Sequence, residues 1–247
     1  MTRFTVGGQV PGLSEIIASL PLSLVMAGDP PVQIVGLAGE PGWYERAVEA
    51  LSAGALAVVV TRPVDAPADL ADQPHLVLSW PFADSPGLLA AAAEATPLRA
   101  TAALAQGTVS VATRDDAPAA LLDLLIAAGR VFGELTELTR VYDDEQGIFL
   151  AGHLSGGAAV TLAVVVSAAQ ASTMHLRLLT GDGGVEATLP AQAAAPAEVR
   201  VIDAHGDRLL PTVWVSAHRA SWQRAATVAA GTASTDVAEL RRALAVL

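Results

Sequence analysis

Apolar and polar positions alternate along the chain in two distinct grammars. From Phe4 to about Ala95, short unalternated apolar runs separate stretches of helical periodicity, the pattern of βα units feeding a parallel sheet buried on both faces. The runs predict strands at Phe4–Val6, Leu22–Met26, Val32–Leu37, Leu56–Thr61 and His75–Ser79, with helices at Ser14–Leu20, Trp43–Ala53 and Ser85–Ala95. In the second helix Val48, Leu51 and Ala55 share a face from which Glu45, Arg46 and Glu49 turn away.

Beyond Thr96 the pattern changes to one long helix, Asp116–Phe132, followed by strand-like segments with few helices between them. These are Leu138–Asp143, Ile148–His153, Ala158–Val166, Met174–Leu179, Val185–Leu189, Val199–Ile202 and Leu209–Val215, with turn signals at 143–147, 155–157 and 181–184. That order predicts an antiparallel sheet with helices on one face. Two helices, about Ala217–Ala230 and Thr235–Val246, close the chain, the latter capped by Ser234 or Thr235. The fold class is therefore α/β plus α+β. A shortened Rossmann-like parallel-sheet domain, 1–95, precedes a domain with a large open antiparallel sheet, 96–247, whose C-terminal helices return to the first domain.

Composition narrows the chemistry. The 247 residues include 14 Arg, no Lys and no Cys, with 25 Asp plus Glu and a formal charge of −11. Without Lys there is no Schiff base and no phosphate-loop lysine; without Cys there is no thiolate nucleophile, thiolate metal site or disulfide. An acidic surface with scattered arginines argues against nucleic acid. The uncharged stretch Leu154–Met174 holds a dense apolar run only from Ala158 to Val166, which is strand length and too short for a membrane helix. Ile16–Ala27 resembles a signal peptide, but Glu15 precedes it and Pro21 interrupts it. The expectation is a soluble, cytoplasmic protein that contacts neither membrane nor nucleic acid.

Several motifs resemble the Gfo/Idh/MocA oxidoreductases. Ala50 to Gly54 followed by Ala57 to Val64 is similar to that family's helix, turn, strand and E-K-P signature, with Thr61, Arg62 and Pro63 in the E-K-P positions. Asp116 to Asp123 matches its D-x-x-x-H-x-x-D helix, with Ala120 in place of the histidine. Gly152–Val166 resembles the central strand pair of the C-terminal sheet, Leu178–Gly184 the turn after it, and Trp222–Leu247 the closing helices. The resemblance implies a nicotinamide-dependent oxidoreductase that associates through its open sheet, with a lysine and a histidine handling the substrate proton.

The expected machinery is altered. A dinucleotide fingerprint needs G-x-G-x-x-G between the first strand and helix, whereas the chain reads Val6-Gly7-Gly8-Gln9-Val10-Pro11-Gly12. Pro11 removes an amide donor. Asp29 is the one nearby acid for a ribose, and Pro30 and Pro31 follow it. Arg62 can hold a carboxylate or hydroxyl but does not exchange a proton near neutral pH, and Ala120 offers nothing. The expectation is a degenerate homologue without hydride transfer and without a cofactor, acting as a small-molecule-binding or non-redox protein or as the inactive partner of an active paralogue. The alternative is a working NAD(P)-dependent oxidoreductase on a sugar-like or other small hydroxy or imino substrate. It would use Arg62, Asp116 and Tyr44 in catalysis and Gly7, Gly8 and Gly12 around the cofactor. A third reading is a lyase or isomerase working from Asp116 and Tyr44.

Plainer roles compete at each position. Asp116 is also an ordinary helix N-cap, Arg62 a surface ion pair, and Trp43 and Tyr44 packing aromatics. Asp203 and His205, and the scattered His153, His175 and His218, do not enforce the convergence that a metal site needs. Ser155 is a turn residue and Asp143, Asp144 and Glu145 an acidic hairpin tip. A homo-oligomer, or a hetero-oligomer with a paralogue, is expected through the open sheet because a broad apolar face requires cover.

Overall fold

Burial follows the two grammars. The computed structural model describes residues 2–20, 22–28, 31–64, 70–192 and 194–247, and these divide into two compact units. The first comprises Met1–Trp80 with Ala217–Arg241, the second Pro81–Ser216 with Arg242–Leu247.

The first unit is a five-stranded parallel sheet, β1 (Phe4–Gly8), β2 (Leu24–Met26), β3 (Ile34–Ala38), β4 (Ala57–Thr61) and β5 (Leu76–Ser79). The strand order is β2-β1-β3-β4-β5, so the direction of winding reverses between β1 and β3. Helices α1 (Leu13–Ala18) and α5 (Ala217–Ala229) share a core with one face, in which Phe4, Val6, Ile34, Ala57, Val59 and Val77 meet Leu13, Ile17, Trp222, Ala225 and Val228. Helix α2 (Trp43–Ser52) packs on β3 and β4 and buries Trp43 and Ala47. The edge strand β5 is protected by side chains rather than by another strand, which blunts edge pairing. Buried Asp236, the first residue of α6 (Asp236–Ala245), accepts the Leu78 amide at 2.7 Å, and Arg224 of α5 donates to Asp236 at 2.6 Å and to the Leu78 carbonyl at 3.0 Å. Ser234 caps α6 through the Asp236 amide.

The second unit is an eight-stranded sheet of order β13-β12-β11-β10-β6-β9-β8-β7. Its strands are β6 (Ala102–Val111), β7 (Leu135–Asp144), β8 (Gly147–Leu154), β9 (Ala159–Val166), β10 (Thr173–Thr180), β11 (Gly184–Pro190), β12 (Glu198–Asp203) and β13 (Gly206–Leu209). All neighbours pair antiparallel except β6 and β9. Helices α3 (Pro86–Ala95) and α4 (Ala117–Phe132) cover one face, with α3 over β11 and β12 and α4 over β6, β8, β9 and β10.

The expected fold class is the one observed, with three local corrections. The ten-residue strand β6, unpredicted, sits between β10 and β9. Leu209–Val215 is not a strand: Pro211 breaks the run, Trp214 is 72% exposed, and only Leu209 pairs, at the end of β13. Helix α3, expected with the first domain, packs on the second unit's sheet. Among the described residues no helix is long and apolar enough to cross a membrane.

Candidate functional site

The carboxyl ends of the parallel strands are where open α/β sheets take ligands, above all where the winding reverses. Here that place is the β1/β3 boundary. Gly7 and Gly8 pair with Val35 and Gly36, and the pairing runs past the strand end because the Gln9 amide donates to the Gly36 carbonyl at 3.1 Å. Gly8 has φ +129°, and a Cβ on it would stand 2.1 Å from the Gly36 oxygen, so only glycine lets the two strands approach this closely. Val10, 7% exposed, and the ring of Trp222, fully buried, both press on Gly36; a Cβ there would meet them at 2.9 and 3.0 Å.

Gly12 has φ +71° and precedes α1, which has six residues. Between Gly8 and α1, Pro11 has no amide, the Gln9 amide is engaged by Gly36, and the first amide of α1, that of Leu13, donates to Val10 at 3.2 Å. Asp29 lies outside the described residues.

Arg62 follows β4 with a left-handed backbone, φ +52°. Its amide donates to the Ser79 carbonyl at 3.0 Å, its side chain is exposed, and among the described residues no carboxylate pairs with it. The expected surface ion pair is therefore not made within that set. Ser79, at the end of β5 and 2% exposed, places its Oγ 3.2 Å from Nδ1 of His218. Two nearby polar atoms, Thr61 Oγ1 and Trp222 Nε1, are buried without a hydrogen-bond partner among the described residues.

Tyr44 is fixed for a structural reason. Its hydroxyl donates to the Ala71 carbonyl at 3.2 Å and accepts the Ala71 amide at 3.1 Å, while its ring meets Trp43 edge-on at 5.7 Å. Both capacities of the hydroxyl are occupied by one residue of the following loop.

In the second unit, Asp116 precedes α4 but makes no side-chain cap; its carboxylate is exposed and accepts the Thr113 hydroxyl at 2.6 Å. The N-cap expected from the sequence is thus replaced by a local turn bond. Ala120 is half-buried on α4. Asp123, three residues on, is 2% exposed and accepts the amides of Phe82 at 2.9 Å and Ala83 at 2.8 Å. Burial pushes its carboxyl up to about 7 despite those two bonds, with Asp84 raising it further and Arg130 opposing. Arg130 donates to the Ala83 carbonyl and to Asp84, at 2.5 and 3.1 Å. Asp123 therefore pins the start of this unit rather than facing solvent.

The remaining histidines make local contacts. His175 meets Thr188 at 3.1 Å, His153 lies 3.9 Å from Glu137, and the His205 amide donates to Asp203 at 2.7 Å on the β12–β13 hairpin. That bond holds the Asp203 carboxyl below its ordinary range. Among the described residues no group of three or more His, Asp or Glu could hold a metal ion.

Thr61 stands in the E-K-P-like stretch and His218 among the scattered histidines, but nothing in the sequence pattern joins them to Ser79 or Trp222. Ser79 and His218 lie 139 positions apart, and only the shared termini of β4 and β5, with α5 laid over them, bring them together.

No protein-family model matches the sequence, and no curated protein matches it. Solved structures do. An oxidoreductase from Sinorhizobium meliloti superposes with a TM-score of 0.68 at 14% identity, covering 100% of this chain and 96% of its own. KijD10, a 3-ketoreductase from Actinomadura kijaniata in complex with NADP, gives 0.68 at 15% identity, with 98% and 95% covered. UDP-N-acetylglucosamine 3-dehydrogenase GnnA from Acidithiobacillus ferrooxidans gives 0.68 at 14%, with 99% and 95% covered. The chain has the fold of oxidoreductases of the Gfo/Idh/MocA type, as its motifs led us to expect.

Proposed function

We propose that the chain keeps this oxidoreductase fold without hydride transfer, as a ligand-binding or non-redox protein or as the inactive partner of an active paralogue. The observation that carries the reading is the filled β1/β3 boundary. A dinucleotide's pyrophosphate needs free amides at a helix N-terminus and a backbone it can approach closely. In their place stand Pro11, a Gln9 amide bonded to Gly36, and the side chains of Val10 and Trp222 against Gly36. The residues present do not fit a pyrophosphate at that point. Arg62 and Ala120, in positions where the resemblance implies a proton-exchanging pair, support the same reading.

The shared fold with KijD10, a structure in complex with NADP, favours the second reading: an NAD(P)-dependent oxidoreductase on a sugar-like or other small hydroxy or imino substrate, using Arg62, Asp116 and Tyr44 with Gly7, Gly8 and Gly12 at the cofactor. Calorimetric titration with NADH and NADPH separates the two. Silence up to about 1 mM supports the first; a dissociation constant near 10 μM, roughly −7 kcal/mol, overturns it. A cytoplasmic location and an oligomer built through the open sheet, with itself or with a paralogue, complete the proposal.

A further inference from the structure

Thr61 Oγ1 and Trp222 Nε1 are both buried and lack a hydrogen-bond partner among the described residues, a state that native proteins seldom leave unanswered. Their placement is not random. Thr61 ends β4 and pairs in register with Ser79, which ends β5. Side chains alternate along a strand, so Thr61 continues the row of Ala57 and Val59, and Ser79 that of Val77, all facing the core that contains Trp222. His218 and Trp222 are one helical turn apart on α5 and share a face, and His218 Nδ1 reaches Ser79 Oγ at 3.2 Å. Two strand ends and the first turns of one 13-residue helix thus bring four polar side chains to the carboxyl end of the sheet.

The indole N–H only donates, whereas the Thr61 and Ser79 hydroxyls can donate or accept. Arg62, which follows Thr61, is a permanent cation with no carboxylate partner among the described residues. Buried Asp236, which accepts the Leu78 amide next to Ser79, is already engaged by Arg224. A group that answers the indole N–H accepts a hydrogen bond, and the neighbouring Arg62 cation favours one that carries negative charge.

We propose that Thr61, Ser79, His218 and Trp222 form a subsite for a small organic carboxylate, with the adjoining Arg62 balancing its charge. The proposal rests on the reading that no dinucleotide occupies this strand end. It is tested on the ¹⁵N-labelled full chain by following the Trp222 indole N–H resonance, assigned through bonds, during titration with acetate and glycolate. Sodium chloride and inorganic phosphate at matched ionic strength serve as comparisons, and NADPH is added to a separate sample. The expected result is a saturable shift with half-saturation at or below about 10 mM, weakened about tenfold in Arg62→Gln and lost in the isosteric Thr61→Val. Ser79→Ala serves if Thr61→Val does not fold. No shift at about 100 mM, an equal response to chloride or phosphate, or an unchanged shift in the variants overturns the subsite. A shift produced by NADPH overturns the underlying functional reading instead, whereas silence from both carboxylates and NADPH removes the subsite alone.

Discussion

The Asp123 carboxylate holds the Ala83 amide at 2.8 Å from a position 40 residues away, at the point where the chain enters its second unit. Burial raises this acid from 3.8 to about 7. The folded form therefore binds the proton more tightly than the unfolded chain. The stability linked to this proton is fully present below about pH 4 and is lost as pH rises towards 7. In urea unfolding between pH 4 and 8, the wild type should lose stability across that window beyond what its other groups contribute. Asp123→Asn should flatten the slope, because the titrating proton is gone. A slope unchanged in Asp123→Asn refutes the assignment. Asp123→Ala, which strands two buried amides, should cost about 2–5 kcal/mol.

Gly8→Ala tests the β1/β3 closure. The added Cβ would fall on the Gly36 oxygen at 2.1 Å, with φ at +129°, so a loss of about 3 kcal/mol or more is expected in urea unfolding. Gly129→Ala on α4 is the counterpart: among the described residues, nothing beyond its own stretch of helix lies within 4 Å of its added Cβ, and helix propensity predicts a gain of about 0.5–1 kcal/mol. Equal effects of the two substitutions would show that the boundary is not tightly closed.

The five parallel strands were legible because each reads as a short apolar run, densest in β4 and β5, which are buried almost throughout, although Met26 at the end of the edge strand β2 is exposed. Strand β6 was not. Its core row, Ala105, Gly107, Val109 and Val111, is small at one end, and Gln106, Thr108 and Ser110 lie between, so the segment lacks the β-branched density of its neighbours. Gly107 belongs there because Leu124, Leu162 and Leu176 crowd it to within 3.1 Å of an added Cβ; only the period of two betrayed the strand. The altered loop at Gly8 was visible as a spacing, but the plugging of Gly36 by Trp222 was not, since it joins residues 186 apart in the chain. The same holds for Asp123, whose place in a helix motif says nothing of the amides it binds. Local pattern reports which face is apolar; it does not report which distant group the polar exceptions meet.

Tyr44→Phe distinguishes a staple from a catalyst. Removing a hydroxyl that both donates to and accepts from Ala71 should lower stability by about 1–2 kcal/mol and speed exchange of the Ala71 amide. Binding of any ligand found for the protein should stay within about twofold, a change of roughly 0.4 kcal/mol. A loss of binding of tenfold or more with unchanged Ala71 exchange would return Tyr44 to the site.

The uncovered face of the eight-stranded sheet offers the last test. Ala159, Thr161, Ala163 and Val165 point away from the buried row Val160, Leu162 and Val164, and Phe149 stacks on Tyr142 at 5.6 Å in the neighbouring hairpin. Gln106, Thr108, Thr161, Ala163 and Phe149 line a shallow basin of ≈ 470 Å³ on this face. Its rim carries the Arg177–Glu186 ion pair at 2.7 Å, and its lining mixes the polar Gln106, Thr108 and Thr161 with Ala163 and Phe149. If the sheet is the assembly surface, Val165→Arg places a charge at 37% exposure where two copies meet, and sedimentation equilibrium should show the mass fall to that of one chain. Leu89→Arg, on α3 and 55% exposed, should leave the mass unchanged. A wild-type chain that sediments as a monomer, or a Val165→Arg chain that keeps the wild-type mass, removes the sheet from the argument. Because the substituted position is already exposed, neither outcome is confounded by collapse of the core beneath it.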